Sequence, residues 1–347
     1  MTAPSHISRR VALGLAAPAA LLALAACADA TGSGSPASDG GGVAAATEPT
    51  TPRTMPEGKG SGEADGVFPR TVVHFAGETT IETEPARVVV ISTGQMDALL
   101  TLGLVPVGST AGDGGDLIPG YLAEAFAEQK AQLDEVTFVG SRVDPDLETI
   151  ANLAPDLIVL NVAGKDDAET FVASASEIAP TVATQGTGLY WKQDLLLLAD
   201  ALGRTEQAQT WLDAFHADAA AAGEAVEGDP TVSFLRKNGD RTRVFGVASF
   251  SGSVAEDAGL SRPESQAFTD TTSVDISAEQ LDQADADWIL YGVQGGDETE
   301  LTSLALWPAL GAVAADHAVE VDDDAFYLNT GPTAARHVLA TLQETLA

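Results

Sequence analysis

Positive charge is scarce in this sequence: its 347 residues carry 17 Lys and Arg against 51 Asp and Glu, a formal net charge of −34. Such a chain lacks the basic footprint that a nucleic-acid surface requires, and its overall field disfavours polyanionic ligands unless a local basic pocket overrides it. Cysteine is scarcer still. Cys27 is the only one, which excludes an intrachain disulfide and a cysteine-rich zinc site. The five histidines, His6, His74, His216, His317 and His337, are scattered, with no close pair or HExxH spacing suited to a metal. Neither GxSxG nor a Walker A pattern occurs, so the sequence offers no nucleophile elbow and no phosphate loop. An enzyme is therefore not expected, and neither is a bound metal or cofactor. Long apolar runs are almost absent; Val11 to Ala26 is the exception, and it is too short for a permanent membrane span.

That run follows Arg9-Arg10 and ends in small residues, which reads as an export signal over residues 1–26. The paired arginines are compatible with twin-arginine export as well as the general secretory route. Leu24-Ala25-Ala26-Cys27 resembles a bacterial lipobox, implying diacylation of Cys27 and a stable anchor outside the cell membrane. From Ala28 to Gly66 the composition turns to Gly, Ser, Thr, Ala and Pro without hydrophobic period. Residues 27–66 are accordingly expected to be a lipidated cysteine and a flexible linker, reaching roughly 35 Å as a coil.

The folded part opens with two short strands around Gly77, the pattern of a hairpin. Apolar strands then alternate with helices: Arg87 to Ser92, a helix from Gln95 to Gly103, Val105 to Ser109, Phe138 to Gly140, Leu157 to Val162 and Thr181 to Thr184. This rhythm predicts an α/β fold with largely parallel sheets. Asp146 to Leu160 aligns without gaps on Ser277 to Tyr291, each copy running from an N-cap residue through a short helix into an apolar strand. Two related lobes follow from that repeat. Between the copies, Leu195, Leu198 and Leu202 form one apolar face, Gly203 stops it, and Thr205 restarts a helix carrying Ala208, Trp211, Leu212, Phe215, Ala219 and Ala222. The expected architecture is two Rossmann-like lobes, 67–204 and 228–347, joined by a long rigid helix over 205–227.

Arg87-Val88-Val89-Val90 followed by Asp97 to Gly103, Val139-Gly140-Ser141-Arg142 with Leu147-Glu148, Ser277 to Leu281, Leu306 to Leu310, and Val319 to Val321 occur in a fixed order. In that order they resemble the substrate-binding lipoproteins of iron-siderophore ABC importers, the helix-linked class of periplasmic binding proteins. The resemblance covers Val67 to Ala347. It implies an extracytoplasmic, lipid-anchored monomer that captures a ferric siderophore and passes it to ABC permease subunits. A haem or cobalamin binder of the same fold is the alternative, and an extracytoplasmic enzyme or adhesion domain a more distant one. The acidic net charge favours neutral or cationic hydroxamate chelates over trianionic catecholates.

Ligand contacts are expected where loops leave the carboxyl ends of strands. The candidates are Arg142, Tyr190 and Trp191 in the first lobe, and Arg236, Phe250, Tyr291, Phe326 and Tyr327 in the second. The resemblance assigns Arg142 to the oxygens that chelate iron, a task suited to the forked guanidinium. It also implies that Glu148 and Glu279, equivalent in the two repeat copies, dock on the permease. Trp307, in Leu306-Trp307-Pro308, is read as a packing residue.

Overall fold

The computed structural model describes residues 49–112, 115–164 and 167–346. The export signal, Cys27 and the linker as far as residue 48 lie outside the described residues. Arg70–His74 (β1) and Gly77–Ile81 (β2) form the expected antiparallel hairpin, turning at Phe75 and Ala76 just before Gly77. The next five strands are Val88–Ile91 (β3), Gly108–Ala111 (β4), Thr137–Ser141 (β5), Leu157–Asn161 (β6) and Thr181–Thr184 (β7). They make an all-parallel sheet in the order β5-β4-β3-β6-β7. All residues of β3, β6 and β7 are buried, which is why these strands read as unbroken apolar or β-branched runs.

The second sheet comprises Val232–Asn238 (β8), Arg241–Phe245 (β9), Ser273–Ile276 (β10), Trp288–Val293 (β11) and Ala318–Glu320 (β12), in the order β10-β9-β8-β11-β12. Strand for strand this is the order of the first sheet, with the repeat-equivalent β6 and β11 each beside the central strand. Two lobes with Rossmann-like layering are thus present, but the second sheet is mixed. Asn238 pairs with Arg241 across a two-residue turn, which leaves no room for a crossover helix, so β9 runs antiparallel to both β8 and β10.

Helix Trp191–Leu202 is buried on every side, as befits a helix in the middle of a large core. It ends at Gly203 in the left-handed conformation. The strut helix Thr205–Glu224 then runs about 30 Å and buries Ala208, Leu212, Phe215, Ala219 and Ala222, an alternation of fours and threes that keeps one stripe facing inward. It packs on Trp191–Leu202 from the first lobe and on helix Phe250–Asp257 from the second. One continuous apolar cluster joins Val88 and Val90 of β3, the strut stripe, Phe234 of β8 and Leu339 of the C-terminal helix Pro332–Leu346. Each large side chain buried there contributes about 1.5–3 kcal/mol.

The linker reading requires correction for residues 49–66, which lie along the body. Thr50 and Thr51 donate backbone N–H groups to Glu256 at 2.8 and 3.2 Å, Arg53 pairs with Asp257 at 2.7 Å, and Ser61 donates twice to Asp200. Asp65 accepts from the N–H groups of Thr205 and Glu206 at 2.8 and 2.9 Å and so caps the strut, whose own Arg204 makes no side-chain cap. Beneath this strap, Lys192 and Asp257 form a fully buried ion pair at 2.5 Å. Composition misses such docking because polar groups rather than apolar period hold it. Among the described residues no helix is long and apolar enough to cross a membrane.

Candidate functional site

Between the sheets lies a cleft of about 360 Å³ lined from both lobes, within the range typical of small-molecule sites. The first lobe contributes Thr93, Arg142, Asn161, Thr187 and Gly188, all just beyond or at the carboxyl ends of its parallel strands. Arg142 stands at the tip of a tight turn in which the Ser141 and Asp144 backbones bond each other at 3.2 and 3.3 Å. Gly140 makes this turn possible: at φ 89°, a Cβ there would lie 2.7 Å from the Asp144 carbonyl oxygen. Asn161 donates to Ser92 Oγ at 2.6 Å, while its Oδ1 is buried without a hydrogen-bond partner. Thr187 adopts φ 70°, ψ 157°, a region β-branched residues avoid at a cost of about 1–3 kcal/mol.

The second lobe adds Arg243, Phe245, Phe250, Thr272, Ser273, Phe326 and Tyr327. Phe250 opens its helix behind Ser249, whose side chain accepts from the Gly252 N–H at 3.0 Å. Here the lobes touch: a Cβ on Gly188 would come within 2.5 Å of the Phe250 nitrogen. The Phe245 and Tyr327 rings meet at 5.0 Å, and the Tyr327 hydroxyl donates to the Leu290 carbonyl at 2.7 Å. Burial, then the charge of Asp323, holds that hydroxyl far above the ordinary tyrosine range. The tyrosine thus serves this part of the wall as a neutral ring.

Arg243 is the residue that sequence reading missed. It stands opposite Arg236 in the β8–β9 register, so the two side chains share a sheet face. Arg236 is 4% exposed and bound in a bidentate pair to Asp323 at 2.7 and 2.6 Å. Arg243 faces the cleft with its guanidinium 5.4 Å from the Phe245 ring and its Nε buried without a hydrogen-bond partner. Desolvation and then the like charges of Arg236 and Arg241 lower its pKa. The alternation in Arg241-Thr242-Arg243-Val244-Phe245 is the signal that carries it, since 243 and 245 fall on one face.

Of the expected ligand contacts, Arg142, Phe250, Phe326 and Tyr327 line the cleft. Four do not. Trp191 is 3% exposed, packs edge-on against Trp211, Phe215 and Phe250, and donates its indole N–H to Ser253 at 3.0 Å. It belongs to the core between the lobes, drawn in by its large apolar area. Arg236 is consumed by Asp323. Tyr291 is 5% exposed, sits against Trp307 at 5.0 Å and donates to Glu298 at 3.2 Å, inside the second lobe. Tyr190 is half-buried at the end of the turn Gly188–Tyr190, outside the cleft lining. Glu148 and Glu279 are both exposed in the first turn of their helices, where a carboxylate complements the helix dipole.

A larger hollow of about 530 Å³ lies under the first lobe, beside Arg87 and Val105 to Val107. Arg87 is committed there to the carbonyls of Ala154 and Leu153, and the hollow draws on one lobe only. Among the described residues no group of three or more His, Cys, Asp or Glu is placed to hold a metal ion.

Comparison with known proteins agrees with this geometry. Residues 88–325 match the model of a family described as periplasmic binding protein. The chain is 30% identical over 307 residues to the probable siderophore-binding lipoprotein YfiY of Bacillus subtilis, spanning 83% of this chain and 90% of that one. It is 28% identical over 306 residues to the iron(3+)-hydroxamate-binding protein FhuD of the same organism, spanning 84% and 90%. The crystal structure of Staphylococcus aureus SirA complexed with staphyloferrin B superimposes with a TM-score of 0.68 at 25% identity, over 80% of this chain and 98% of that one.

Proposed function

Because this chain belongs to the periplasmic binding protein family, we propose that it captures a ferric siderophore, hydroxamate chelates above all, outside the cell membrane and delivers it to an ABC permease. The observation that carries this reading is the two-lobed cleft with one guanidinium on each wall, Arg142 and Arg243, and aromatic rings between them. A ferric chelate presents several partially negative oxygens within an organic shell. Forked donors meet the oxygens, and Phe245, Phe250, Phe326 and Tyr327 cover the shell. The chelator already fills the metal's coordination sphere, so the protein reads the outer surface of the complex and catalyses nothing.

Cys27 is the proposed site of lipid attachment, in keeping with a relative named as a lipoprotein. Glu148 and Glu279, exposed at matching places in the two lobes, are the proposed contacts with cationic side chains of the permease subunits. Native mass spectrometry of the purified protein against ferrioxamine B, ferrichrome, a ferric catecholate, ferric citrate, haem and cobalamin tests the reading. One ferric chelate bound per chain is expected, tightest among the hydroxamates. Binding of haem or cobalamin alone, or of ferric ion without a chelator, overturns it.

A further inference from the structure

We propose that Asp194, which lies outside the cleft, is a positioning residue for ligand binding: its carboxylate holds from behind the loop 185–188, the lip of the cleft on the first lobe. The inference rests on the reading of the cleft as the ligand site and names what gives that site its shape. Asp194 sits in the first turn of the buried helix Trp191–Leu202 and is 9% exposed. Taking a carboxylate out of water is costly unless hydrogen bonds compensate it, and both of its oxygens are spent on the lip. Oδ1 accepts from the Gln185 N–H at 3.0 Å and Oδ2 from the Gly186 N–H at 2.7 Å. The neighbouring Gln193 donates its side-chain amide to Gln185 Oε1 at 2.8 Å. Two consecutive residues of the helix therefore grip two consecutive residues of the lip.

The lip needs that grip because its own conformational preference opposes its shape. Thr187, the next residue, stands at φ 70°, ψ 157°, a conformation that suits glycine and that a β-branched residue keeps only where its surroundings enforce it. Gly186, at φ 81°, is pressed against the cleft floor: a Cβ there would lie 2.9 Å from both Cβ and Cγ of Asn161. Gly188 at the other end of the lip meets Phe250 of the second lobe so closely that a Cβ has no room. Thr187, Gly188, Asn161 and Phe250 all line the cleft. Holding the lip therefore fixes where Thr187 stands, seats Asn161 and sets how near the Phe250 wall comes. Without the two bonds to Asp194, Thr187 is free to relax to an ordinary conformation, and the lining residues lose the arrangement that a ligand meets. Support of this kind, from behind the contact residues, decides how well a site is preorganised.

Asp194→Asn keeps the volume of the side chain but offers one acceptor oxygen in place of two, so one lip N–H loses its partner. The parent, Asp194→Asn and the double variant Asp194→Asn with Thr187→Gly are titrated with ferrioxamine B, ferrichrome and ferric citrate, and amide hydrogen exchange is followed in the ligand-free proteins. All measurements are made at pH 8, where Asp194 is charged, since burial raises its pKa to about 7. Asp194→Asn is expected to bind the preferred chelate at least tenfold more weakly than the parent. Its amides at 185–188 are expected to exchange at least tenfold faster, while those of β6 keep the parental rate. Glycine at 187 removes the strain, so the double variant is expected to recover at least threefold of the lost affinity. Parent-like affinity in Asp194→Asn overturns the positioning role. Exchange that quickens through β6 as well as the lip makes Asp194 a general folding residue and also overturns it. A deficit that persists in full in the double variant does the same, since strain in the lip is then not what the carboxylate opposes. A parent that binds none of the chelates overturns instead the proposed function on which the role rests.

Discussion

Asp97 lies on the first helix of the first lobe, Gln95–Thr101, yet it caps the last helix of the chain. Its carboxylate accepts from the backbone N–H groups of Thr333 and Ala334 at 2.9 and 3.0 Å, at the start of Pro332–Leu346. The side chain is wholly buried, and desolvation, outweighing these hydrogen bonds, pushes its pKa from 3.8 to about 6. At about 1.4 kcal/mol per pH unit, that gap amounts to about 3 kcal/mol. Between pH 4 and 6 the folded state holds a proton that the unfolded state has released, so this group's contribution to stability falls as pH rises through the window and is flat above it. An asparagine in its place is uncharged at every pH but keeps one acceptor oxygen, so one of the two N–H groups, which bond Oδ1 and Oδ2 separately, loses its partner at a cost of about 1–3 kcal/mol. Asp97→Asn is therefore expected to be less stable than the parent by about 1–3 kcal/mol at pH 4, where the folded parent is protonated, and to recover about 3 kcal/mol relative to it between pH 4 and 7.5. Urea denaturation of both proteins across that range reads the difference directly. A difference between the two proteins that does not change with pH, or that widens against the variant as pH rises, would refute the claim that desolvation outweighs the two bonds to the helix terminus.

Two further outcomes follow from the charged groups. Arg142→Ala and Arg243→Ala should each weaken binding of the preferred ferric chelate by about 1.5–3 kcal/mol in fluorescence titration, whereas Arg236→Ala should lower the melting temperature by stranding Asp323; selective loss of affinity in the last variant contradicts the assignment of walls. Lys192→Met removes one member of a buried pair and leaves Asp257 with Arg53 at 2.7 Å and the His216 ring at 3.9 Å. The expected loss is about 3–5 kcal/mol by urea denaturation, and a cost below about 1 kcal/mol would mean that the strap's Arg53 compensates the charge.

The α/β rhythm was legible because strands buried on both faces are continuous apolar or β-branched runs, as in Val88–Ile91 and Leu157–Asn161. Strand β4 was harder. Val105-Pro106-Val107 looks like its centre, but Pro106 has no N–H to donate, and the strand is the weakly apolar Gly108–Ala111. Arg142 could be found because the turn, the cap and the helix that present it are contiguous in sequence. The other wall could not, because the choice between Arg236 and Arg243 depends on Asp323, which is distant along the chain and neutralises only the first. The same limit hid the strap and the cap at Asp97: both are polar contacts between distant segments, with no periodicity to announce them.

The charge distribution gives the acidic chain and its guanidinium-lined cleft a common logic. Among the described residues no Asp or Glu lines the cleft, and Asp323, beside it, is bound to Arg236. The net charge of −34 therefore acts at a distance, where about 8–10 Å of physiological salt solution screens it, while Arg142 and Arg243 act at contact. A trianionic chelate meets repulsion on approach before it can reach the arginines. A neutral or cationic hydroxamate complex crosses the same region without that barrier and still offers partially negative oxygens to both guanidinium groups once inside. On the proposed function, local donors set what is held and the acidic exterior sets which chelates arrive.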